Sequence, residues 1–266
     1  MIADWDDAYA NAPHIADAAD YPPIWQQKAR NFRDNHPPRQ LSYGADPRQL
    51  IDLFLPKNPV GLAVFVHGGY WRSFDHTYWS HLARGALAQG WAVAIPGYVL
   101  CPQTTIPEIT MQIAAAIDIL ANNIAGPIHL AGHSAGGHLV CRMGCRDIRL
   151  ASAKRIKNIL SISGIHDLRP LINTDMNKDL MLNLKTATSE SPAMAMPIEG
   201  LSLTAWVGAL ERPEFLRQNR LIANIWTGCG VNTRIVEQKD QHHFSVISGL
   251  ESPDSPLTRA LIDVNQ

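Results

Sequence analysis

The stretch PIHLAGHSAGGHLVCRM, residues 127–143, joins an apolar run, a glycine-flanked serine and a segment of helical character. Residues 127–131 have the composition of a buried strand, and the apolar positions 139, 140 and 143 fall at helical spacing. Between them, Ser134 is the central residue of the pattern G-x-S-x-G. In a strand-to-helix turn of this kind, glycines let neighbouring backbone pass closely and the serine hydroxyl is lifted into the open. The stretch therefore predicts a strand, a tight turn and a helix, with Ser134 as the candidate nucleophile.

A serine hydroxyl is a weak nucleophile at neutral pH, so it needs a base, a group that orients the base, and donors for the developing oxyanion. The pattern HGGYW at 67–71 follows a predicted strand and contains two consecutive glycines. The backbone N–H groups of Gly68, Gly69 and Ala135 are the candidate donors of an oxyanion hole. An ordinary turn at the end of a strand is the alternative for the two glycines. His67 is expected to shape this turn through hydrogen bonds rather than to carry a proton.

The base is expected near the end of the chain, after the last predicted strand at 233–236. Both His242 and His243 follow that strand. His243 is favoured because its neighbour Phe244 can anchor it, and a base must hold one tautomer. A solvated loop histidine is the alternative for either residue, since the chain contains eleven histidines.

The orienting acid is expected after another strand and ahead of the base. Glu211 follows the predicted strand 203–207 and is the first candidate, with an exposed carboxylate or an ion pair with Arg212 as its alternative. Asp167 is the second candidate, because its strand comes one step too early and an aspartate also caps turns and helices. Glu214 is the third, because a carboxylate in the first turn of a helix interacts favourably with the helix dipole.

The composition excludes several classes of protein. Lys and Arg total 23 against 24 Asp and Glu, so no basic excess exists to bind nucleic acid. The four cysteines form neither a disulfide framework nor a paired C-x-x-C metal pattern, which predicts a reducing compartment. No metal or cofactor is expected. The first residues carry acid where a signal peptide needs basic charge, and no apolar run approaches the ~20 residues that span a bilayer. A cytoplasmic protein without a membrane partner is therefore expected.

Alternating strand and helix patterns predict one α/β domain, with a mostly parallel sheet and helices on both faces. Residues 1–40 predict a helical N-terminal arm that wraps the body, and an arm of this kind could also cover a neighbouring subunit in a homodimer. Residues 168–200 are rich in Met and Asn and contain prolines, which predicts either a small lid or a crossover packed in the core. The predicted strands are 51–55, 62–66, 91–95, 128–130, 159–163, 203–207 and 233–236, and the predicted helices are 78–89, 106–122, 136–143 and 214–226.

The chain resembles the α/β-hydrolase superfamily, and within it the hormone-sensitive-lipase-like esterases and especially the kynurenine formamidase (arylformamidase) group. The resemblance covers most of the chain and rests on HGGYW at 67–71, Tyr-x-Leu-x-Pro at 98–102, Ser-Gly-x-x-Asp-Leu at 163–168 and acid-x-Pro-Glu-Phe-x-Arg-Gln at 211–218. It implies that Glu211 is the triad acid, where relatives often carry Asp, and that His243 is the base, because the family pattern is His-Phe. The order Ser134, Glu211, His243 is the order found in these enzymes.

Together, the residues and the resemblance predict a serine hydrolase that cleaves small carboxylic esters or formyl and acyl amides through an acyl-enzyme. The resemblance implies an arylformamidase acting on N-formylkynurenine as the narrower alternative. A non-catalytic ligand-binding protein of the same fold is the alternative from another class, and the presence of all three candidate catalytic groups disfavours it. Tyr70, Trp71 and His166 are the candidate substrate-binding residues, with packing in the core as their alternative.

Overall fold

One sheet organises the computed structural model, which describes residues 4–263 and contains eight strands within that range. The strands are β1 (Arg39–Ser42), β2 (Leu50–Phe54), β3 (Leu62–Val66), β4 (Ala92–Pro96), β5 (Ile128–His133), β6 (Ile156–Ile162), β7 (Ser202–Gly208) and β8 (Asn232–Gln238). Their order in the sheet is β1-β2-β4-β3-β5-β6-β7-β8. The β1–β2 and β2–β4 pairs are antiparallel, and every pair from β4 to β8 is parallel. The prediction of a mostly parallel sheet is confirmed.

Helices connect most of these strands and cover the sheet. The α-helices are α1 (Trp5–Tyr9), α2 (Tyr21–Asn35), α3 (Arg84–Ala88), α4 (Ile106–Asn123), α5 (Ala135–Met143), α6 (Asn177–Leu180), α7 (Leu184–Ser189), α8 (Pro213–Gly228) and α9 (Pro256–Ile262). Short 3₁₀ helices lie at Ala12–His14, Ala18–Asp20, His76–Ala83, Ala153–Arg155, Arg169–Asn173, Pro192–Met194 and Val246–Glu251. None of the helices within residues 4–263 is long and apolar enough to cross a membrane.

The two faces of the sheet carry separate clusters of buried side chains. Along β3, Leu62 and Val64 belong to one cluster, whereas Ala63 and Phe65 belong to the other. This alternation follows from the two-residue period of a strand, and it leaves β3 apolar throughout, as expected for a strand buried on both faces. Helices α4, α5 and α8 contribute to the first cluster, and α2, α3 and α9 to the second, so the prediction of helices on both faces is confirmed.

The seven predicted strands correspond to β2–β8, with ends shifted by up to three residues. The antiparallel edge strand β1 and the last helix α9 were not predicted. The strand β1 has only four residues, and its side chains are mostly exposed. The predicted helix 78–89 is instead a 3₁₀ helix followed by the short α3.

The segment 168–200 is folded against the body in short helical pieces. It buries Leu171, Leu180 and Ala187 in the first cluster, while Met181, Met194 and Met196 remain about half exposed. The structure therefore places part of this segment in the core, as the crossover alternative expects. A role as a lid stays a prediction.

A buried histidine lies between two carboxylates where the 3₁₀ helix His76–Ala83 meets β2. The Nδ1 atom of His76 lies 3.2 Å from Oδ1 of Asp75, and its Nε2 atom lies 3.8 Å from Oδ1 of the fully buried Asp52. Burial alone would lower the pKa of His76, but the hydrogen bonds and charges of the two carboxylates raise this pKa to about 9. The imidazolium therefore gives the buried Asp52 a counter-charge, and it lies beside Asp75, which also pairs with Arg48 at 3.7 Å.

We expect this cluster to make stability depend on pH. Because the pKa of His76 is raised in the folded state, its stabilising contribution is complete below the ordinary pKa of 6.5 and is lost as the pH rises through about 9. His76→Asn should lower the free energy of unfolding by roughly 2–3 kcal/mol at pH 6 and by much less at pH 10. Urea unfolding of both proteins at the two pH values measures this, and a pH-independent difference would contradict the assignment.

Candidate active site

Ser134 occupies a strained turn between β5 and α5. Its backbone has φ 55° and ψ −116°, a conformation that few residues other than glycine adopt. A Cβ atom at Gly132 would lie 2.1 Å from the carbonyl oxygen of Gly136, and one at Gly136 would lie 1.9 Å from the carbonyl oxygen of Val66. Side chains are therefore excluded on both sides of the serine. The backbone N–H of Ser134 donates to the carbonyl of Ile162, 2.8 Å away, which fixes the turn to β6.

His243 is held by a carboxylate from a neighbouring loop. It lies in the loop after β8, and its Nδ1 atom lies 2.6 Å from Oε2 of Glu211, which lies in the loop after β7. The Oε1 atom of Glu211 accepts hydrogen bonds from the Ser163 hydroxyl at 2.5 Å and from the Gly208 N–H at 2.8 Å. The carboxylate therefore has a fixed orientation. Nδ1 of His243 donates to Glu211, which makes Nε2 the basic nitrogen of the ring.

The other candidate acids have different partners. Asp167 forms an ion pair with Arg169, with both hydrogen bonds at 2.9 Å. Glu214 is buried and accepts a hydrogen bond from the Tyr9 hydroxyl at 2.8 Å. Of the three carboxylates considered, Glu211 is the one that contacts His243.

The adjacent histidine has a structural position. The Nε2 atom of His242 lies 3.1 Å from the hydroxyl of Tyr21, and its Nδ1 atom accepts the backbone N–H of Phe244 at 3.2 Å. Both ring nitrogens therefore have partners, and these contacts help to hold the loop that carries His243.

His133 was not among the candidate site residues, yet it contacts His243. Its Nε2 atom donates to the backbone carbonyl of His243 at 2.9 Å, and the two ring centroids lie 4.6 Å apart. Burial, together with the charge that His243 would carry, holds the pKa of His133 well below its usual value. His133 therefore stays neutral and holds the loop of His243 in place. In the sequence, the indication that His133 belongs to the site is its position directly before Ser134.

The HGGYW turn packs directly against the turn that carries Ser134. A Cβ atom at Gly68 would lie 2.7 Å from the carbonyl oxygen of His133, and Gly69 has φ +106°. The N–H groups of Gly68, Gly69 and Ala135 donate no hydrogen bond to any atom of residues 4–263. For Ala135 this is expected, because the first N–H groups of a helix have no partner within the helix. Their role as the donors of an oxyanion hole stays a prediction.

His67 holds the start of the same turn. Its Nδ1 atom donates to the carbonyl of Gly68 at 2.7 Å, and its ring stacks on Tyr98 with centroids 4.3 Å apart. The Tyr98 hydroxyl in turn donates to the carbonyl of His67 at 2.9 Å. Burial lowers the pKa of His67 to about 4, so the ring is neutral at physiological pH. These contacts agree with the expectation that His67 shapes the turn.

A cavity of about 660 Å³ opens above Ser134 and His243. The N-terminal arm forms one wall through residues 9–13 and Trp25, and the segment 175–179 forms part of another. Tyr70 lines the cavity, and its hydroxyl donates to the carbonyl of Tyr9; its role in substrate binding stays a prediction. The contribution of the arm was not predicted, because the sequence showed an aromatic-rich arm without showing which surface it covers.

Two of the predicted substrate-binding residues do not reach this cavity. Trp71 is fully buried, and its ring packs edge-on against His138 with centroids 5.1 Å apart. His166 is also fully buried, with Nε2 3.2 Å from the hydroxyl of Ser161. The prediction for both residues is therefore corrected to packing in the core. The physical reason for Trp71 is that consecutive side chains of the turn point in different directions, so that Tyr70 faces the cavity and Trp71 the interior.

The comparisons with known proteins agree with this architecture. A model of a family with the alpha/beta hydrolase fold matches residues 63–246. The chain is 30% identical to the kynurenine formamidase of Drosophila melanogaster and 26% identical to that of Danio rerio, each over 84% of this chain and 80% of the relative. The crystal structure of a provisionally assigned thioesterase from Silicibacter sp. superposes with a TM-score of 0.92 at 47% identity, covering 97% of this chain and 98% of that one.

The chain therefore belongs to the α/β-hydrolase family, in the group that includes the kynurenine formamidases. Its resemblance to that group is confirmed, and the protein is an enzyme of the hydrolase class. No group of three or more His, Cys, Asp or Glu side chains in the described part of the chain, residues 4–263, is placed to hold a metal ion.

We expect Gly68→Ala to lower kcat/KM for p-nitrophenyl acetate by about 100-fold or more, because the new methyl group meets backbone that cannot move aside and displaces a donor beside Ser134. Gly228→Ala is the matched control, since a Cβ atom there meets nothing within 4 Å. Steady-state kinetics and thermal unfolding of both variants provide the measurement. Equal activity of the two variants would show that the close approach at Gly68 is unimportant.

Proposed function

We propose that this chain is a serine hydrolase that cleaves small carboxylic esters or formyl and acyl amides through an acyl-enzyme. Ser134 is the nucleophile, His243 the base and Glu211 the acid that orients the base. The observation that carries the proposal is the 2.6 Å hydrogen bond between His243 Nδ1 and Glu211 Oε2, beside a strained serine that lines the same cavity as His243. This is the set of groups that activates a serine hydroxyl in acyl transfer.

The proposed reaction assigns one role to each of these groups. Nε2 of His243 takes the proton of the Ser134 hydroxyl as Oγ attacks the carbonyl carbon, and the carbonyl oxygen becomes an oxyanion. The N–H groups of Gly68, Gly69 and Ala135 stabilise that oxyanion, and loss of one such donor typically costs about 3 kcal/mol of barrier. The leaving group takes the proton from His243 and departs. A water molecule then gives a proton to His243 and attacks the acyl carbon, and Ser134 Oγ leaves that carbon as it takes the proton from His243, which releases the carboxylic acid.

Glu211 serves this reaction by fixing the tautomer of His243 and by stabilising the imidazolium that forms. A glutamate is one methylene longer than the aspartate that relatives often carry. The hydrogen bonds from Ser163 and Gly208 hold its carboxylate where it still reaches Nδ1 of His243 at 2.6 Å. The longer side chain is therefore compatible with the role.

An arylformamidase is the second candidate function. The two relatives described above are both named kynurenine formamidase and align over most of the chain, which supports a formamide such as N-formylkynurenine as substrate. The aromatic side chains of Trp25, Phe74 and Phe244 line the cavity and could face an aryl group. The catalytic groups alone would serve a small ester equally well, so the general activity is placed first.

We expect Ser134→Ala to lower kcat by at least about 1,000-fold while leaving thermal unfolding close to that of the wild type. The change removes only a hydroxyl, and the strained backbone is common to both proteins. Turnover of p-nitrophenyl acetate and of N-formylkynurenine should be measured for both proteins, together with labelling by a fluorophosphonate mapped by peptide mass spectrometry.

The pattern of results separates the alternatives. Formamide turnover far above ester turnover would assign an arylformamidase, and ester turnover alone would assign a general esterase. If the wild type turns over neither substrate and is not labelled at Ser134, the protein is a ligand-binding module and the proposal fails.

We expect Glu211→Gln to lower kcat by about 10³–10⁴-fold, because an amide favours the wrong tautomer of His243 and cannot stabilise its charged form. Asp167→Asn is the matched control, as Asp167 is paired with Arg169 and does not contact His243. This control should change kcat by less than about tenfold. Comparable losses in the two variants, measured by steady-state kinetics, would remove Glu211 from the triad.

A further inference from the structure

A second cavity lies behind the aromatic end of the cavity above Ser134. It has a volume of about 200 Å³ and is lined by Tyr21, Leu82, Ile247 and other residues of α2 and of the C-terminal region. Trp25 and Phe244 line both cavities. These two side chains therefore form the wall between the catalytic cavity and the second one.

The wall is apolar and stands next to the proposed base. Trp25 packs against Phe244 with ring centroids 5.4 Å apart and against Trp79 with centroids 4.8 Å apart, and Phe74 completes the cluster at 6.1 Å. The rings of Phe244 and His243 lie with centroids 6.1 Å apart and both line the catalytic cavity, so a substrate group that extends past the imidazole meets these rings. None of the four aromatic residues is charged, which favours an apolar group at this end.

Most of the surface that lines the second cavity is also apolar. Tyr21, Ile24 and Leu82 supply apolar surface, and the ion pair between Lys28 and Glu251, with atoms 2.8 Å apart, lies at its rim. Ile24 is 48% exposed, so the cavity reaches the surface of the protein. Removing the indole of Trp25 would therefore take away part of the wall between the two cavities.

We propose that Trp25 sets the upper length of the apolar group that the Ser134 site accepts, and that the second cavity is a continuation of the substrate pocket closed by this indole. The inference rests on the proposed function. It makes Trp25, in the N-terminal arm, a residue that determines specificity. The catalytic cavity and the second cavity together would then accept a linear apolar acyl chain. Each methylene that such a chain buries should improve kcat/KM by about fourfold.

The test compares p-nitrophenyl acetate, butyrate, hexanoate and octanoate as substrates of the wild type and of Trp25→Ala. The octanoate-to-acetate ratio of kcat/KM should rise at least about tenfold in the variant, because the chain gains apolar surface to bury. If Trp25→Ala does not fold, Trp25→Leu, which keeps an apolar side chain but removes the ring, decides the question by the same ratio. Ser248 is exposed and lines the second cavity. Adding Ser248→Trp to the Trp25 variant should refill this cavity and return the octanoate-to-acetate ratio to the wild-type value.

Trp91→Ala is the matched control. Trp91 is as buried as Trp25 but packs against His129, with ring centroids 4.3 Å apart, and lines neither cavity. The octanoate-to-acetate ratio of kcat/KM should be the same in Trp91→Ala and in the wild type. The inference is overturned if a folded Trp25 variant has the octanoate-to-acetate ratio of the wild type, or if this ratio rises as much in Trp91→Ala. Either result would leave the proposed hydrolase function unaffected. Absence of Ser134-dependent hydrolysis of any ester by the wild type contradicts the proposed function itself.

Discussion

The close passage of backbone around Ser134 is the constraint on which the site depends. Gly136 packs on the end of β3, and a Cβ atom at Gly137 would lie 2.8 Å from Cα of Gly164, just after β6. Any side chain at these positions would separate three adjacent parallel strands. The absence of side chains lets the strand ends converge, and the convergence sets the strained conformation of Ser134.

Converging strand ends also explain how distant parts of the chain form one site. In a parallel sheet the carboxyl ends of the strands lie along one edge, and loops from that edge carry functional side chains. Here β3 is followed by Gly68, β5 by Ser134, β7 by Glu211 and β8 by His243. The sheet fixes the spacing of these loops, while hydrogen bonds such as that from Ser163 to Glu211 adjust the side chains.

The buried histidines near the site are divided into two kinds by their neighbours. Burial lowers the pKa values of His138 and His166 to about 3, so both act as neutral packing and hydrogen-bonding groups. His243 is equally buried, but its Nδ1 faces a carboxylate. His243 therefore has a charged hydrogen-bond partner, whereas the partners of His138 and His166 are a backbone carbonyl and a hydroxyl. The sequence shows eleven histidines and does not distinguish these environments.

The sequence by itself determined the local elements and their order. The strand, turn and helix around Ser134, and most of the parallel sheet, follow from glycine positions and apolar periodicity within about ten residues. Tertiary structure alone decided which of Asp167, Glu211 and Glu214 contacts His243, and that Tyr70 reaches the cavity while Trp71 enters the core. It also decided that the arm forms one wall of the cavity. These outcomes depend on contacts between residues far apart in the chain, such as Trp25 and Phe244, and no short pattern encodes such contacts.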